Sequence, residues 1–267
     1  MTEFRAAPLT KQVVAITGGT SGIGLATARL LAAKGAQRIL LVGRDQARGT
    51  AAAAAVNAAA AEAGHATTHA HFHQGDVAQP ETADALAGWI DKNCDGLDAV
   101  VTAAGGNHPP RLFHALPDGA AEAIVNEWLL GTIHVLRRLM PLLKARGGGS
   151  VVTVASDAAK VATPGEAVIG AAMAGIVMLS RTLAMEGTRS GIRVNCLTPS
   201  LIEGTITFDT VMSDAFSQRL FGKARERARL GLSTAEDQAN LVLFLLGPES
   251  RRLTGQAISV NGGISAA

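Results

Sequence analysis

The sequence predicts one α/β domain with a doubly wound parallel sheet of about seven strands and helices on both faces. The chain has 267 residues, 48% of them hydrophobic, which is enough to bury a full core. Short apolar runs alternate with longer segments of helical period, as in parallel sheets built from βαβ units. Most of the short runs are continuous rather than alternating, which is typical of strands that helices cover on both faces.

Seven strands and six helices are predicted along the chain. The strands are assigned to residues 13–17, 38–43, 68–74, 99–103, 150–155, 193–198 and 257–260. The helices are assigned to residues 23–33, 44–63, 80–93, 118–144, 165–186 and 234–246. The second helix contains the alanine-rich run 51–61, which favours a helix by propensity alone. Right-handed crossovers between successive strands then give the doubly wound sheet.

The segment 205–232 lies between the sixth strand and the last helix. Its apolar residues Phe208, Met212, Phe216, Leu220 and Phe221 recur at helical spacing. We expect either a small lid over a substrate site or a helical hairpin packed on the core. No internal repeat or linker is evident, so residues 1–267 are predicted to form one domain.

Composition and charge exclude several classes of protein. A net charge of +2 and 3% aromatic residues argue against a nucleic-acid binder, which would carry a basic patch or stacking platforms. The first twelve residues lack the apolar core of a signal peptide, and no apolar run is expected to span a bilayer. Cys94 and Cys196 are too few for a disulfide framework, so a reducing, cytoplasmic location is expected. An edge strand explains His69, His71 and His73 better than a metal site, so no metal is expected.

A glycine-rich turn follows the first predicted strand and leads directly into the first helix. Gly18 permits a tight turn, Gly22 lets the backbone approach a pyrophosphate, and Gly24 allows the helix to pack close to the sheet. The helix N-terminus then presents free N–H groups and a partial positive charge to the phosphates. A strand, this turn and a helix at the start of the chain predict a dinucleotide-binding site.

The turn has the pattern Thr-Gly-x-x-x-Gly-x-Gly and resembles that of the short-chain dehydrogenase/reductase family. The resemblance covers nearly the whole chain, because Gly75-Asp76-Val77, Ala104-Gly105, the run 191–195 with Pro199, and the run 260–263 match in order. It implies a Rossmann-type fold that binds a nicotinamide dinucleotide. The implied cofactor site consists of Gly18, Thr20, Ser21, Gly22, Ile23, Gly24, Arg44, Asp76, Val77, Ala104, Gly105, Pro199 and Ile202.

The end of the second strand bears on the choice between NAD(H) and NADP(H). An acid there would bind the ribose 2′-hydroxyl, whereas an arginine would pair with a 2′-phosphate. Gly43 stands in the place of the usual acid and Arg44 follows it, so NADP(H) is favoured over NAD(H). Two alternatives stay open: Asp45 could neutralise Arg44, or Arg44 could be an ordinary exposed residue at a helix start.

The resemblance also implies a catalytic set of tyrosine, lysine, serine and asparagine, most of which is missing. In the family the tyrosine supplies a proton as hydride is added, and the lysine lowers the phenol pKa from about 10. Ser156 matches the serine, but the asparagine, tyrosine and lysine positions fall on Trp128, Ile169 and Met173. The chain contains no tyrosine at all. The ordinary carbonyl-reductase mechanism is therefore not expected to operate.

Three residues are candidates for catalysis on position alone. His108 follows the fourth strand, at the sheet edge where ligands of doubly wound folds bind, and histidine can donate a proton near neutral pH. Ser156 and Asp157 follow the fifth strand, and either could orient a polar substrate. The alternative interpretations are an ordinary loop histidine, a helix-capping serine and a solvated acid.

Three functions stay open at this point. The first is an NADP(H)-using reductase of a small-molecule carbonyl, imine or conjugated substrate, with a non-standard proton source or none. The second is a non-redox cyclase, isomerase or lyase, and the third is a silent nucleotide-binding subunit that associates with an active homologue. A homodimer or homotetramer is expected from the resemblance. Apolar residues of the helix 165–186 are compatible with either an interface or the core, namely Ile169, Met173, Ile176, Val177 and Leu179.

Overall fold

The seven predicted strands occur along the chain in the predicted order, and two short strands that were not predicted pair with each other in a separate sheet. The computed structural model describes residues 7–267, so the interpretation of residues 1–6 lies outside the described residues. The strands are β1 (Val13–Thr17), β2 (Arg38–Gly43), β3 (His69–Gln74), β4 (Ala99–Thr102), β5 (Gly149–Val154), β6 (Ile192–Leu197), β7 (Ile202–Glu203), β8 (Ser233–Thr234) and β9 (Ala257–Ile258). The helices are α1 (Gly22–Ala33), α2 (Gln46–Glu62), α3 (Pro80–Asn93), α4 (Ala120–Ile124), α5 (Gly131–Arg146), α6 (Ala167–Gly187), α7 (Ile206–Ser213), α8 (Ala215–Arg227) and α9 (Ala235–Leu246).

Seven of these strands form one parallel sheet in the order β3-β2-β1-β4-β5-β6-β9, which confirms the predicted doubly wound fold. β1 lies inside the sheet, and its residue Val14 pairs with Ile39 of β2 on one side and Ala99 of β4 on the other. The chain order reverses at this point. Ligands of such folds bind beyond the carboxyl ends of the strands near the reversal.

Successive residues of β1 point into two different core layers. Val14 and Ile16 belong to a cluster that includes residues of α1, α2 and α9, whereas Val13 and Ala15 belong to one that includes residues of α3 and α5. All four residues are buried. Burial from both sides explains why the strands are continuous apolar runs in the sequence.

β3 lies at the edge of the sheet, as its row of histidines predicts. The ring of His71 packs 5.2 Å from that of Trp89, and its Nε2 lies 3.4 Å from a guanidinium nitrogen of Arg38. Among residues 7–267, no group of three or more His, Cys, Asp or Glu side chains is placed to hold a metal ion.

The predicted helix 118–144 is interrupted, which corrects that prediction. It consists of α4, a π-helical turn (Val125–Leu130) and α5. A π turn widens one turn of the helix, a change too local for a hydrophobic pattern that is averaged over several turns. The turn contains Glu127 and Trp128, and π turns occur frequently at functional sites.

One expectation about α6 needs correction, and for most of its apolar residues the core alternative holds. Its length and apolar composition alone would suffice to cross a membrane, contrary to the expectation that no run is long enough. The helix is nevertheless part of the core, where it packs against β6. Ile169, Met173, Ile176 and Val177 are buried within this chain, so they do not form an outward face for association.

The segment 205–232 contains a helical pair, α7 and α8, as its spacing predicts. Asp214, between the two helices, accepts hydrogen bonds of 2.9 Å from the backbone and the hydroxyl of Ser217. The same carboxylate forms an ion pair of 3.1 Å with Arg111, which lies on the loop after β4. These contacts hold the helical pair beside the carboxyl ends of the strands.

Candidate functional site

A cavity of about 770 Å³ opens at the carboxyl ends of the central strands, where the strand order reverses. The turns that follow β1, β2, β4, β5 and β6 line it, together with the start of α6 and the helical pair. Its volume is in the range of pockets that bind drug-sized molecules and cofactors. This cavity therefore lies where the fold predicts a ligand.

The glycine-rich turn forms the floor of this cavity. Gly18 has a φ of +70°, and a Cβ atom added there would lie 2.4 Å from the carbonyl oxygen of Ala103. A Cβ atom on Gly24 would lie 2.4 Å from the carbonyl oxygen of Gly18, so α1 packs directly against its own turn. Among the described residues, no side chain caps α1, whose N-cap is Ser21. The first amide N–H groups of α1 are therefore available to an anion.

The predicted cofactor residues converge on the cavity, with one exception. The residues that line it are Gly18, Thr20, Ser21, Gly22, Ile23, Arg44, Asp76, Val77, Ala104, Gly105, Pro199 and Ile202. Gly24 does not line the cavity; it lets α1 pack closely against the glycine-rich turn. The carboxylate of Asp76 accepts a hydrogen bond of 3.0 Å from the backbone N–H of Ala78, which shapes the turn after β3.

Two arginines stand at the cavity end beside β2. Asp45 does not pair with Arg44 but with Arg48, at 3.6 Å, and it accepts a hydrogen bond of 2.8 Å from the Arg48 backbone N–H. That hydrogen bond holds the pKa of the exposed Asp45 carboxyl below its usual value. Arg44 is 59% exposed and lies 3.9 Å from a carboxylate oxygen of Glu127. Both guanidinium groups are therefore accessible from the cavity.

The positions of the family's catalytic set meet in the cavity wall. Ser156, Trp128, Ile169 and Met173 all line the cavity. Ile169 and Met173 are 7% and 6% exposed and belong to the same apolar cluster. Hydrocarbon therefore occupies the two positions where the family resemblance implies a phenol and an ammonium group.

Ser156 and Asp157 both line the cavity, but their hydrogen bonds differ. The Ser156 hydroxyl oxygen accepts a hydrogen bond of 3.2 Å from the backbone N–H of Ala158, which leaves its own proton available to a ligand. Asp157 is buried, and its carboxylate accepts hydrogen bonds from the Ser265 hydroxyl at 2.8 Å and from the Asn261 amide at 3.4 Å. Asp157 thus fastens the C-terminal segment to the cavity wall.

His108 has two neighbours that sequence analysis did not identify. Its Nε2 lies 3.4 Å from a carboxylate oxygen of Glu127, and its ring packs edge-to-face on Trp128 with centroids 5.3 Å apart. Glu127 lies one residue before the position of the family asparagine, within the π turn. That proximity to a motif position is the signal in the sequence that could have identified it.

Glu166 is the second cavity residue that sequence analysis missed. It lies at the N-cap of α6 and is half-buried in the cavity wall. Burial raises the pKa of its carboxyl to about 7, the negative charge of Asp157 acts in the same direction, and a hydrogen bond from Thr163 opposes them. Residues 166, 169 and 173 are separated by three and four positions, so they share one face of α6. That spacing is the signal that could have indicated a third wall residue.

The helical pair contributes the apolar side of the cavity. Phe208 and Val211 of α7 and Leu220 and Phe221 of α8 line it. A Cβ atom on Gly165 would lie 2.8 Å from the ring of Phe216, so α8 also packs closely on the start of α6. The pair thus lines the cavity with apolar side chains, and α8 also contributes the cations Arg219, Lys223 and Arg227.

Comparisons with known proteins identify the family and the fold of this chain. A family model described as enoyl-(acyl carrier protein) reductase matches residues 18–265. D-beta-hydroxybutyrate dehydrogenase of Rhizobium meliloti is 30% identical over 97% of this chain and 100% of its own length. A short-chain type dehydrogenase/reductase from Mycobacterium ulcerans has a TM-score of 0.88 at 26% identity, covering 97% of this chain and 91% of its own.

L-Sorbose reductase from Gluconobacter frateurii, whose structure contains NADPH and L-sorbose, has a TM-score of 0.85 at 29% identity. The match covers 97% of this chain and 98% of that one. The sequence match extends from the glycine-rich turn to the last strand, and the structural matches extend over the whole sheet. The chain therefore belongs to the short-chain dehydrogenase/reductase family of oxidoreductases.

Proposed function

We propose that the protein is an NADP(H)-dependent reductase that transfers hydride to a small-molecule carbonyl, imine or conjugated substrate without a tyrosine acid. The observation that carries the proposal is the single cavity shared by the glycine-rich turn, the two arginines and the apolar wall. Such a cavity has room for a dinucleotide at one side and an organic acceptor at the other. L-Sorbose reductase, a relative in fold, was crystallised with NADPH and a sugar substrate.

The residues of the cavity fit a nicotinamide dinucleotide. A side chain on Gly18 would occupy the space against Ala103, so the turn keeps its backbone open to a pyrophosphate. Arg44 and Arg48 offer two positive charges for a 2′-phosphate. Ala104, Gly105, Pro199 and Ile202 would enclose the nicotinamide end. When bound, the reduced cofactor supplies the hydride.

The apolar wall limits the chemistry that this chain can support. Ile169 and Met173 neither donate a proton nor carry charge, so an acceptor that is already electron-poor is favoured. Hydride addition to an iminium ion removes a charge, whereas addition to a ketone creates one on oxygen. Ser156 is suited to position the acceptor through its free hydroxyl proton. His108 and Asp157 also line the cavity and add polar groups to it.

The test measures cofactor affinity and turnover separately. Titration with NADPH and NADH, followed by fluorescence, should show tighter binding of NADPH, and Arg44→Ala should reduce that preference by about tenfold because one charge-assisted hydrogen bond is worth about 1.5 kcal/mol or more. Lys11→Ala, at an exposed lysine that does not line the cavity, is the matched control. Oxidation of NADPH with a panel of ketones, enones and iminium ions then tests the reductase. A chain that binds neither nucleotide contradicts the proposal.

Binding of NADP(H) without turnover of any acceptor would favour a second function. The hydrocarbon at Ile169 and Met173 is the observation that supports it, since a non-redox enzyme or a silent partner subunit has no need of a phenol. Addition of an active homologue would then separate the two. A silent subunit should change the activity of its partner, whereas a non-redox enzyme should act alone.

We also propose a homo-oligomer in the cytoplasm. Met178 and Met185 are 58% and 75% exposed on the outer side of α6, an unusual exposure for two large apolar side chains on one helix. Light scattering should give a dimer or tetramer, and Met178→Lys with Met185→Lys should shift the mass toward the monomer. An unchanged mass would exclude this face as the interface.

A further inference from the structure

We propose that Glu166 is the proton donor of this cavity and takes over the role that the family gives to tyrosine. The inference rests on the proposed reductase function and assigns the missing acid of that reaction. It concerns a residue that belongs to none of the family motifs matched by the sequence.

The position of Glu166 is the first argument. Glu166, Ile169 and Met173 line one cavity from one face of α6, and Glu166 stands one helical turn before the tyrosine position. Among the described residues, the Glu166 side chain makes no cap hydrogen bond to α6, although it occupies the N-cap. Its carboxyl group is therefore not committed to the helix, and it faces the cavity with Thr163 as its hydrogen-bond partner.

The charge state of Glu166 is the second argument. Burial raises the pKa of its carboxyl to about 7, so that a large fraction is protonated near neutral pH. A general acid is most effective when its pKa lies close to the working pH. Asp157 is a less suitable donor, because its two oxygens already accept hydrogen bonds from Ser265 and Asn261.

The charged groups around Glu166 leave it without a salt bridge. Asp157 on the loop after β5 adds negative charge, whereas Arg111 is paired with Asp214 at 3.1 Å. Arg219 and Lys223 of α8 also line the cavity. Among residues 7–267, no cation lies within ion-pair distance of the Glu166 carboxylate. Nothing in the described chain thus holds the group permanently ionised.

The proton balance of the reaction follows. When hydride from a reduced nicotinamide dinucleotide adds its two electrons to a carbonyl carbon, the C=O π electrons move to oxygen. Glu166 gives its O–H proton to that oxygen, which completes the alcohol and leaves a carboxylate. Solvent then returns a proton to Glu166, and the dinucleotide departs oxidised. An N-alkylated iminium acceptor needs hydride alone, so its reduction does not use this proton.

The test compares these two acceptors in wild type and in Glu166→Gln, with Glu166→Asp as a second variant that keeps an acid. The control is Glu186→Gln, the same change at an exposed residue near the other end of α6. We expect Glu166→Gln to lower kcat/KM for a ketone by about 100-fold or more. The same variant should change kcat/KM for the N-alkylated iminium ion by less than about tenfold, while Glu186→Gln changes neither. Glu166→Asp should retain part of the ketone activity.

A second measurement does not depend on turnover. Carbon-13 NMR of the cofactor-free protein should contain a glutamate carboxyl signal that titrates near pH 7, disappears in Glu166→Gln and persists in Glu186→Gln. Ketone kcat/KM of wild type should fall as the pH rises through the same value, because the protonated form is the active one.

The outcomes separate the two proposals. If wild type reduces ketones and Glu166→Gln reduces them equally well, Glu166 is not the donor, although the reductase proposal stands. Equal losses on ketone and iminium ion would make Glu166 a binding residue and overturn the assignment. If wild type reduces no acceptor, the reductase proposal fails and the donor assignment fails with it.

Discussion

Replacing Glu166 by glutamine should make the stability of the protein less dependent on pH. Burial raises the pKa of this carboxyl from 4.5 to about 7 in the folded protein. Between these two values the folded state keeps a proton that the unfolded state has released. The free energy of unfolding therefore falls as the pH rises through this interval, and it levels off above pH 7.

The size of the effect follows from the shift. A pKa raised from 4.5 to about 7 corresponds to at most about 3.4 kcal/mol, of which about 2.5 kcal/mol falls between pH 5 and pH 8. Glu166 is half-buried rather than enclosed, so solvent screening reduces the measured value to about 1–2 kcal/mol. The Glu166→Gln variant lacks this ionisation and should gain about that much stability relative to wild type over the interval.

Urea unfolding at pH 5, 6, 7 and 8 checks the prediction, with one protein concentration throughout so that oligomerisation does not contribute. Glu186→Gln is the control, because its carboxyl is exposed and the exchange of charge is the same. The difference between Glu166→Gln and wild type should widen with pH, while that for Glu186→Gln stays constant. Parallel curves for wild type and Glu166→Gln would show that Glu166 titrates as an ordinary exposed acid.

Two further variants test the floor and the wall of the cavity. Gly18→Ala should weaken NADPH binding at least tenfold and destabilise the protein by about 2 kcal/mol or more, because it adds a close contact with Ala103 to an unfavourable φ. Fluorescence titration measures the affinity and urea unfolding the stability. The control is Gly64→Ala, which shares a positive φ but has no atom within 4 Å, so it should lose less stability and no affinity. Ile169→Tyr with Met173→Lys should raise NADPH-dependent ketone reduction at least tenfold; a folded double variant that binds NADPH without this gain would show that more than two side chains has been lost.

The sheet and the glycine-rich turn could be predicted because their signals are local. The Val13–Thr17 strand is continuous and apolar because core layers lie on both sides of it, and Gly18 is required by a single close backbone approach. The positions of Trp128, Ile169 and Met173 in the cavity wall also agree with what motif spacing implied. These features depend on a few residues that are close in sequence, so sequence patterns can predict them.

The burial and pairing of the polar groups in the site depend on tertiary contacts, so sequence patterns predict them less well. An acid at the start of a helix, such as Glu166, is usually solvated, whereas tertiary packing partly buries this one in the cavity wall. The sequence allows Asp45 to pair with Arg44, but one helical turn brings Arg48 to it instead. The π turn that orients Glu127 toward His108 is likewise a local distortion that periodicity does not reveal.

The apolar residues at the tyrosine and lysine positions also affect the pKa of Glu166. Isoleucine and methionine at positions 169 and 173 give the carboxylate neither hydration nor a positive charge, so burial is the largest cause of its raised pKa. A lysine introduced at Met173, on the same face of α6, would attract the carboxylate and lower that pKa. In the double variant described above, proton donation should therefore pass from Glu166 to the new phenol. Adding Glu166→Gln to that double variant should then cost less than tenfold in ketone reduction, whereas the same change in wild type costs about 100-fold or more.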